Sequence, residues 1–225
     1  MSSSTQALPQ AFVVAHRAGN DLARLRAAEA LRVPLVEADV HLFAGRLEVR
    51  HRKTVGPIPI LWDRWELAPP WAPRMLLEDL LGEAAPGTEL MLDLKGHDPR
   101  LPSRIVTAIG NTGTAGPVTV CSQDWRLLEP LRGLPDVRVV HSVGNARQLA
   151  RLRRHLPGQP LGGVSIHRRL LDADVVADLR RRAELVLSWP VESVAQARAL
   201  AAWGVQGLIS QSFERLAPAL AGDVS

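Results

Sequence analysis

Glu37 and Asp39 stand two residues apart in the apolar run Pro34-Leu35-Val36-Glu37-Ala38-Asp39-Val40. Residues i and i+2 of an extended strand point to one face, so this spacing sets two carboxylates side by side. Such a pair repels itself, and burying it uncompensated is expensive, so it asks for a cation. Oxygen donors favour a hard divalent ion, Mg²⁺ or Ca²⁺. Two further apolar runs deliver histidines: Phe12-Val13-Val14-Ala15 leads into His16-Arg17 and the flexible Gly19, and Leu47-Glu48-Val49-Arg50 leads into His51. Imidazoles titrate near neutrality, so beside a cation they would form a metal-assisted acid/base site. Taken singly, a histidine after a strand is more often structural, and an E-x-D pair is more often a solvated edge. What favours chemistry is that His16, Arg17, Glu37, Asp39 and His51 gather at the ends of three consecutive apolar runs, where α/β sheets place their sites.

The elements that must position these groups follow from periodicity. Phe12–Ala15 and Leu35–Val40 read as strands, and Asp21–Leu31, apolar at helical spacing, as the helix between them. Ala44-Gly45 signals a tight turn, and Leu47–His51 returns from it, giving a hairpin-like insertion after the second strand. The Pro- and Trp-rich stretch from Val55 to Pro73, with Trp62, Trp65 and Trp71, reads as a rigid loop over the site, and a helix begins at Leu76–Leu81. Further strands are expected at Glu89–Leu94, Val118–Cys121, Val137–His141, Gly162–Ile166, Leu185–Trp189 and Gln206–Ile209. Helices are expected between them at Leu101–Asn111, Trp125–Gly133, Ala146–His155, Ala173–Arg182 and Ser193–Trp203. Eight strand–helix units imply a parallel sheet, and without a dinucleotide-binding glycine fingerprint they favour a closed (β/α)₈ TIM barrel over a doubly wound sheet.

The chain is 225 residues long, a length that suits one α/β domain, so residues 11–225 are read as a single barrel and 1–10 as a disordered N-terminus. Its one cysteine, Cys121, excludes an internal disulfide and fits a reducing compartment. The first residues lack the basic and apolar regions of a signal peptide, and no apolar run approaches ~20 residues, so a cytoplasmic protein without membrane insertion is expected. The basic runs Arg151-Leu152-Arg153-Arg154 and Arg180-Arg181-Arg182 lie in amphipathic segments without interleaved aromatics. They read as solvated helix faces rather than a nucleic-acid surface.

The order of these motifs carries a resemblance. His16-Arg17-Ala18-Gly19, then Glu37-Ala38-Asp39, then a hairpin ending in His51 resembles the H-R-G turn, E-x-D strand end and H-D of the glycerophosphodiester phosphodiesterase family. Leu90–Lys95, with its Asp93-x-Lys95 end, is similar to that family's third strand. Val118–Ser122, Leu187-Ser188-Trp189-Pro190-Val191 and Gly204–Ser210 are similar to its later segments. The resemblance implies a phosphodiesterase that releases an alcohol and sn-glycerol 3-phosphate from a small-molecule glycerophosphodiester. It implies Glu37, Asp39 and Asp93 around one divalent ion, His16 and His51 as acid and base, and Arg17 and Lys95 on the phosphate. Trp189 would pack on the glycerol, with His41, Ser122 and His167 as supporting residues. In that family the substrate's 2-hydroxyl is the attacking group. Ala18, Asp93, Arg52, Pro190 and Gln211 depart from the family's residues at their positions, and its P-E-N-T segment is absent. Two alternatives therefore stay open: a phospholipase D-like lipid phosphodiesterase, and a weakened barrel that serves as a phosphate- or metal-binding module.

Overall fold

The computed structural model describes residues 11–51, 53–55, 58–63, 66–68, 73–112, 117–155 and 161–221. The chain opens with β1 (Phe12–Ala15), a short 3₁₀ turn (Ala18–Asn20), α1 (Leu22–Ala30) and the long β2 (Leu35–Phe43). It continues through β3 (Arg46–Val49), β4 (Lys53–Val55), β5 (Ile58–Asp63), β6 (Glu66–Ala68) and β7 (Met75–Leu76) to α2 (Leu77–Glu83). Then come β8 (Glu89–Lys95), α3 (Leu101–Thr112), β9 (Val118–Ser122), β10 (Val137–Val143) and α4 (Ala146–His155). The last elements are β11 (Gly163–His167), α5 (Ala173–Arg180), β12 (Val186–Trp189), α6 (Val194–Ala202), β13 (Gly207–Ser210) and α7 (Phe213–Ala221).

Eight of these strands are parallel and run in the order β1, β2, β8, β9, β10, β11, β12, β13, with β13 pairing back onto β1. The sheet is closed: a (β/α)₈ barrel, as the strand–helix alternation implies. The barrel strands carry apolar residues on both faces because each face is covered, except that β11 turns Gly163 and Ser165 inward. Val14, Leu35, Met91, Cys121, Val140, Leu187 and Ile209 fill the interior as one cluster. Their strand neighbours, among them Val13, Val36, Ala38, Leu90, Leu92, Val120 and Leu208, pack outward beneath the helices in a second cluster. A Cβ on Gly207 would lie 1.8 Å from Leu187 Cδ2, so the interior has no room there for any side chain.

Three expectations need correction. The insertion after β2 is larger than a hairpin: β3 pairs antiparallel with β2 and β7 with β3, while β4, β5 and β6 form a separate three-stranded antiparallel sheet in the stretch read as loop. Pro-rich composition hid these short strands, since proline is tolerated at positions where no ladder N–H is needed. Arg52, Trp65 and Trp71 lie outside the described residues, as does the side chain of Trp62. Trp125–Gly133 forms two 3₁₀ turns, at Trp125–Leu127 and Glu129–Leu131, rather than a helix. Pro130 has no N–H to bond the carbonyl four residues back, which stops an α-helix after its first turn. Finally, α7 was not expected, because Pro218 interrupts its pattern, yet Phe213 and Leu216 are fully buried as it packs against β1 and β13.

The basic runs lie on helix α4 and at the end of α5. Leu152 is buried while Arg153 and Arg154 are exposed, and Arg153, Arg181 and Arg182 all pair with Asp178. No helix among the described residues is long and apolar enough to cross a membrane.

His141 points outward from β10 and is buried edge-on to Trp125 at 5.4 Å between ring centroids. Its Nε2 faces Arg132 Nη2 at 3.1 Å. A guanidinium only donates, so this nitrogen accepts and the ring is neutral. Burial and the Arg132 charge lower its pKa from 6.5 to about 4. The unfolded chain therefore binds more protons between these values, and stability present above pH 6.5 is lost as pH falls toward 4. The contribution is at most roughly 3 kcal/mol. The urea midpoint is expected to fall less between pH 7.5 and 4.5 in His141→Phe than in the wild-type protein. An equal fall in both would assign the titration elsewhere.

Candidate active site

At the C-terminal rim the inward face of the barrel turns from apolar to ionisable. Register aligns Asp39 with Asp93 and His41 with Lys95 across β2 and β8, and alternation puts Glu37, Asp39 and His41 on the interior face above Leu35. Oxygens of Glu37, Asp39 and Asp93 all lie within 4.8 Å of one another. Glu37 and Asp39 are almost fully buried, at 3% and 1% exposure.

The turn after β1 is built around these carboxylates. Arg17 takes the left-handed conformation at φ 57°, which aims its backbone N–H at Glu37 Oε2, 2.6 Å away. Its Nε lies 3.7 Å from Asp39 Oδ2. Asn20 clamps Asp39 twice: Nδ2 donates to Oδ2 at 2.8 Å, and Oδ1 accepts the Asp39 backbone N–H at 2.8 Å. The sequence reading missed Asn20, whose role depends on contact with a residue 19 positions on. Gly19 makes this approach feasible, since a Cβ there would sit 2.7 Å from Ala38 Cβ and 3.2 Å from the Glu37 carbonyl.

His51 is placed by the hairpin. Strand β2 runs past its barrel partner, turns at Ala44-Gly45, and β3 brings the chain back until the Arg50 N–H bonds the Asp39 carbonyl at 3.0 Å. His51 Nδ1 then lies 3.3 Å from Asp39 Oδ2. Glu48 anchors the hairpin: buried at 4% exposure, it accepts from Arg50 Nε at 2.7 Å and Arg74 Nη1 at 2.8 Å, and both guanidiniums lie over the Phe43 ring. This cluster was also absent from the sequence reading, because a lone Glu in a strand gives no sign of its partners.

His16 follows β1, its N–H bonded to the Ser210 carbonyl, and its Nε2 lies 3.9 Å from Glu37 Oε2. His16 and His51 line one cleft of about 640 Å³ with Arg17, His167 and Trp189. His167 stacks edge-on against Trp189 at 4.9 Å and accepts the Arg169 N–H through Nδ1, so it holds the tryptophan. Lys95 reaches Asp39 Oδ1 at 2.8 Å and is also paired with Asp93. Ser122 does not join the cluster: its hydroxyl donates to the Leu94 carbonyl and accepts the Asp124 N–H. Cys121, one residue earlier and so on the opposite face, lies in the interior cluster beneath Asp93, its register partner.

Electrostatics follows from this crowding. Burial and then the charges of Asp39 and Asp93 push Glu37 well above the usual carboxylate range. Burial acts on Asp39 in the same sense, but His51, Lys95 and Asn20 outweigh it and hold Asp39 low. Burial raises Asp93 against the pull of Lys95, and Lys95, despite burial, is raised by Asp93, Asp39 and Glu37. Burial and Arg17 hold His16 down at about 4, so it is neutral near pH 7. Three carboxylates thus face one ammonium and the more distant Arg17. The group is short of positive charge, and its donors are all oxygens, which fits a hard divalent cation.

Fold and rim together define a (β/α)₈ barrel with an acidic, histidine-flanked site at its C-terminal face. No protein-family model matches the chain, and no curated protein matches it in sequence. Solved structures do match in fold. A phosphodiesterase from Oleispira antarctica, in complex with the product sn-glycerol-3-phosphate, superposes with a TM-score of 0.76 at 20% identity over 95% of this chain and 97% of that one. A glycerophosphodiester phosphodiesterase from Parabacteroides distasonis gives 0.76 at 21% identity over 96% and 99%. Another from Thermotoga maritima gives 0.70 at 14% over 93% and 98%. The chain has the fold of these glycerophosphodiester phosphodiesterases.

Gly19→Ala is expected to lower stability by about 1–3 kcal/mol, because Ala38 Cβ is fixed to the strand and cannot yield. Denaturant unfolding checks this, and an unchanged midpoint would show that the turn can move away from β2.

Proposed function

We propose that the protein is a divalent-metal-dependent phosphodiesterase that hydrolyses glycerophosphodiesters to sn-glycerol 3-phosphate and an alcohol. One observation carries the reading: three carboxylates from two neighbouring strands, Glu37 and Asp39 on β2 and Asp93 on β8, meet within 4.8 Å, and two imidazoles share the cleft beside them. The fold shared with glycerophosphodiester phosphodiesterases supports it.

Glu37, Asp39 and Asp93 would hold the cation. When bound, Mg²⁺ or Ca²⁺ neutralises charge on the phosphoryl oxygens of an otherwise repelled anion. Arg17, with its Nε turned to the site, and Lys95 add positive charge where the phosphate binds. His16 is the base: a neutral imidazole accepts the proton of the substrate's attacking 2-hydroxyl. It returns the proton to that oxygen when water, giving its own proton to His51, opens the resulting cyclic phosphate to sn-glycerol 3-phosphate. His51 is the acid: its Nδ1 lies 3.3 Å from the Asp39 carboxylate, which orients the ring so that it can protonate the leaving alkoxide. Asp39 thereby replaces the orienting carboxylate that the sequence lacks after His51. Trp189, braced by His167, offers a flat apolar face to the glycerol carbons. A reducing, cytoplasmic location is part of this reading and is supported by the single buried thiol of Cys121.

Purified protein with Mg²⁺ or Ca²⁺ is expected to release sn-glycerol 3-phosphate from a glycerophosphodiester panel, and a chelator to stop it. His16→Ala is expected to lower kcat by roughly 10²–10⁴ with circular dichroism unchanged. Turnover by this variant at the wild-type rate would remove the base from the mechanism. Asn20→Ala, which strips two hydrogen bonds from Asp39, is expected to weaken divalent-ion binding by about 10–100-fold in calorimetry. Unaltered affinity would show that Asp39 is held without the clamp.

A further inference from the structure

Among the described residues, three clefts meet at His51, and only one of them is also lined by His16. The glycerol half of the substrate belongs in that one, because its 2-hydroxyl must reach the base. Glycerol carries another hydroxyl, on C1, that takes no part in the reaction. Entering the cleft strips it of water, and a hydroxyl left unmatched there is a standing cost. A site that selects glycerol therefore needs a group at this end of the cleft to match it.

His167 has the properties of that group. Val164 and Ile166 pack outward, so alternation turns His167 inward, and register sets it beside Trp189 on the wall of the same cleft. Its Nδ1 accepts the Arg169 backbone N–H at 3.2 Å, which leaves the ring proton on Nε2 and makes that nitrogen a donor only. Burial and the charges of Arg169 and Arg168 lower its pKa, so the ring keeps this neutral form near pH 7. Nε2 has no partner among the described residues, yet it is open to solvent, whereas the Nε2 of His41 is closed off. The ring is also held still: the bond from Arg169 fixes one edge, and Trp189 meets it edge-on at 4.9 Å. Nearby groups in the cleft are engaged or loose. The buried Ser210 hydroxyl already accepts the Ser212 N–H, and Gln211 is exposed. A donor with one orientation loses little freedom on binding, which favours it over an exposed amide.

We propose that Nε2 of His167 donates a hydrogen bond to the 1-hydroxyl of the substrate's glycerol, so that diesters of glycerol are distinguished from those of a diol lacking this hydroxyl. This assignment rests on the phosphodiesterase reading and adds what recognises the glycerol. His167 is a specificity-determining residue that keeps its place against Trp189 and stays outside the proton transfers at phosphorus.

The test uses whichever of glycerophosphocholine, glycerophosphoethanolamine and glycerophosphoinositol the wild-type protein cleaves fastest, with Mg²⁺ or Ca²⁺ supplied. Its steady-state hydrolysis is compared with that of the 2-hydroxypropyl analogue, which keeps the attacking 2-hydroxyl and lacks the 1-hydroxyl. Wild type is expected to favour the glycerol diester about tenfold in kcat/KM, the worth of one such hydrogen bond. His167→Phe keeps a ring against Trp189 but no donor, and the ratio is expected to fall to about one. His167→Gln, which keeps an N–H donor, is expected to restore part of it. The ratio is the readout because a weakened brace on Trp189 slows both diesters alike. A wild-type ratio near one, or a ratio unmoved by His167→Phe, overturns the assignment while leaving the phosphodiesterase reading intact. Failure of the wild-type protein to cleave any of the three diesters overturns both.

Discussion

The structure depends on how a buried negative charge is tolerated at the barrel rim. Asp39 is 1% exposed, yet its carboxylate meets Asn20, Lys95 and His51 at 2.8, 2.8 and 3.3 Å. Removing a carboxylate from water costs several kcal/mol unless such partners replace the solvent. Each partner comes from a different element: the turn after β1, the end of β8, and the end of the hairpin. Satisfying Asp39 therefore draws three segments to one point, and the candidate catalytic groups arrive with them. Glu37 has fewer partners among the described residues, one backbone N–H and the edge of His16, and burial, then the charges of Asp39 and Asp93, raise its proton affinity.

The supports of this arrangement lie below and outside it. Gly19 and the left-handed Arg17 let the first turn press against Ala38 without a clash. The buried Glu48, held by Arg50 and Arg74 against Phe43, fixes the hairpin whose end carries His51. Beneath the rim lies a layer of apolar side chains that includes Leu35, Met91, Val140 and Leu187, so the ionisable layer rests on packed side chains. The barrel fold is shared with a solved structure at 20% identity because closure and strand register, rather than particular core residues, define it.

Much of this was legible in the chain. Strand alternation alone places Glu37, Asp39 and His41 on one face, and the repeat of apolar run and amphipathic stretch implies the closed barrel. The solvated basic faces of α4 and α5 follow from helical spacing. The errors have local causes. Pro130 and Pro218 distort the periodic signal in opposite directions, ending an expected helix and concealing a real one. Short strands β4, β5 and β6 lie in Pro- and Trp-rich sequence whose composition resembles a loop. Ser122 and Cys121 are one residue apart, so a shift of a single position in where β9 meets the rim exchanges the residue that faces inward.

What the sequence determined by itself was the class of fold, the pairing of Glu37 with Asp39 and the histidines that end neighbouring runs, since these are written in spacing; Asp93 was picked out only by the family resemblance. Only the tertiary structure decided which distant groups satisfy them: Asn20 on Asp39, Arg74 on Glu48, Lys95 shared between Asp39 and Asp93, and Asp39 itself serving His51. The physical reason is that hydrophobic pattern is a property of local periodicity. The pairing of a buried charge depends on register across a closed sheet, and register is settled only when every strand is in place.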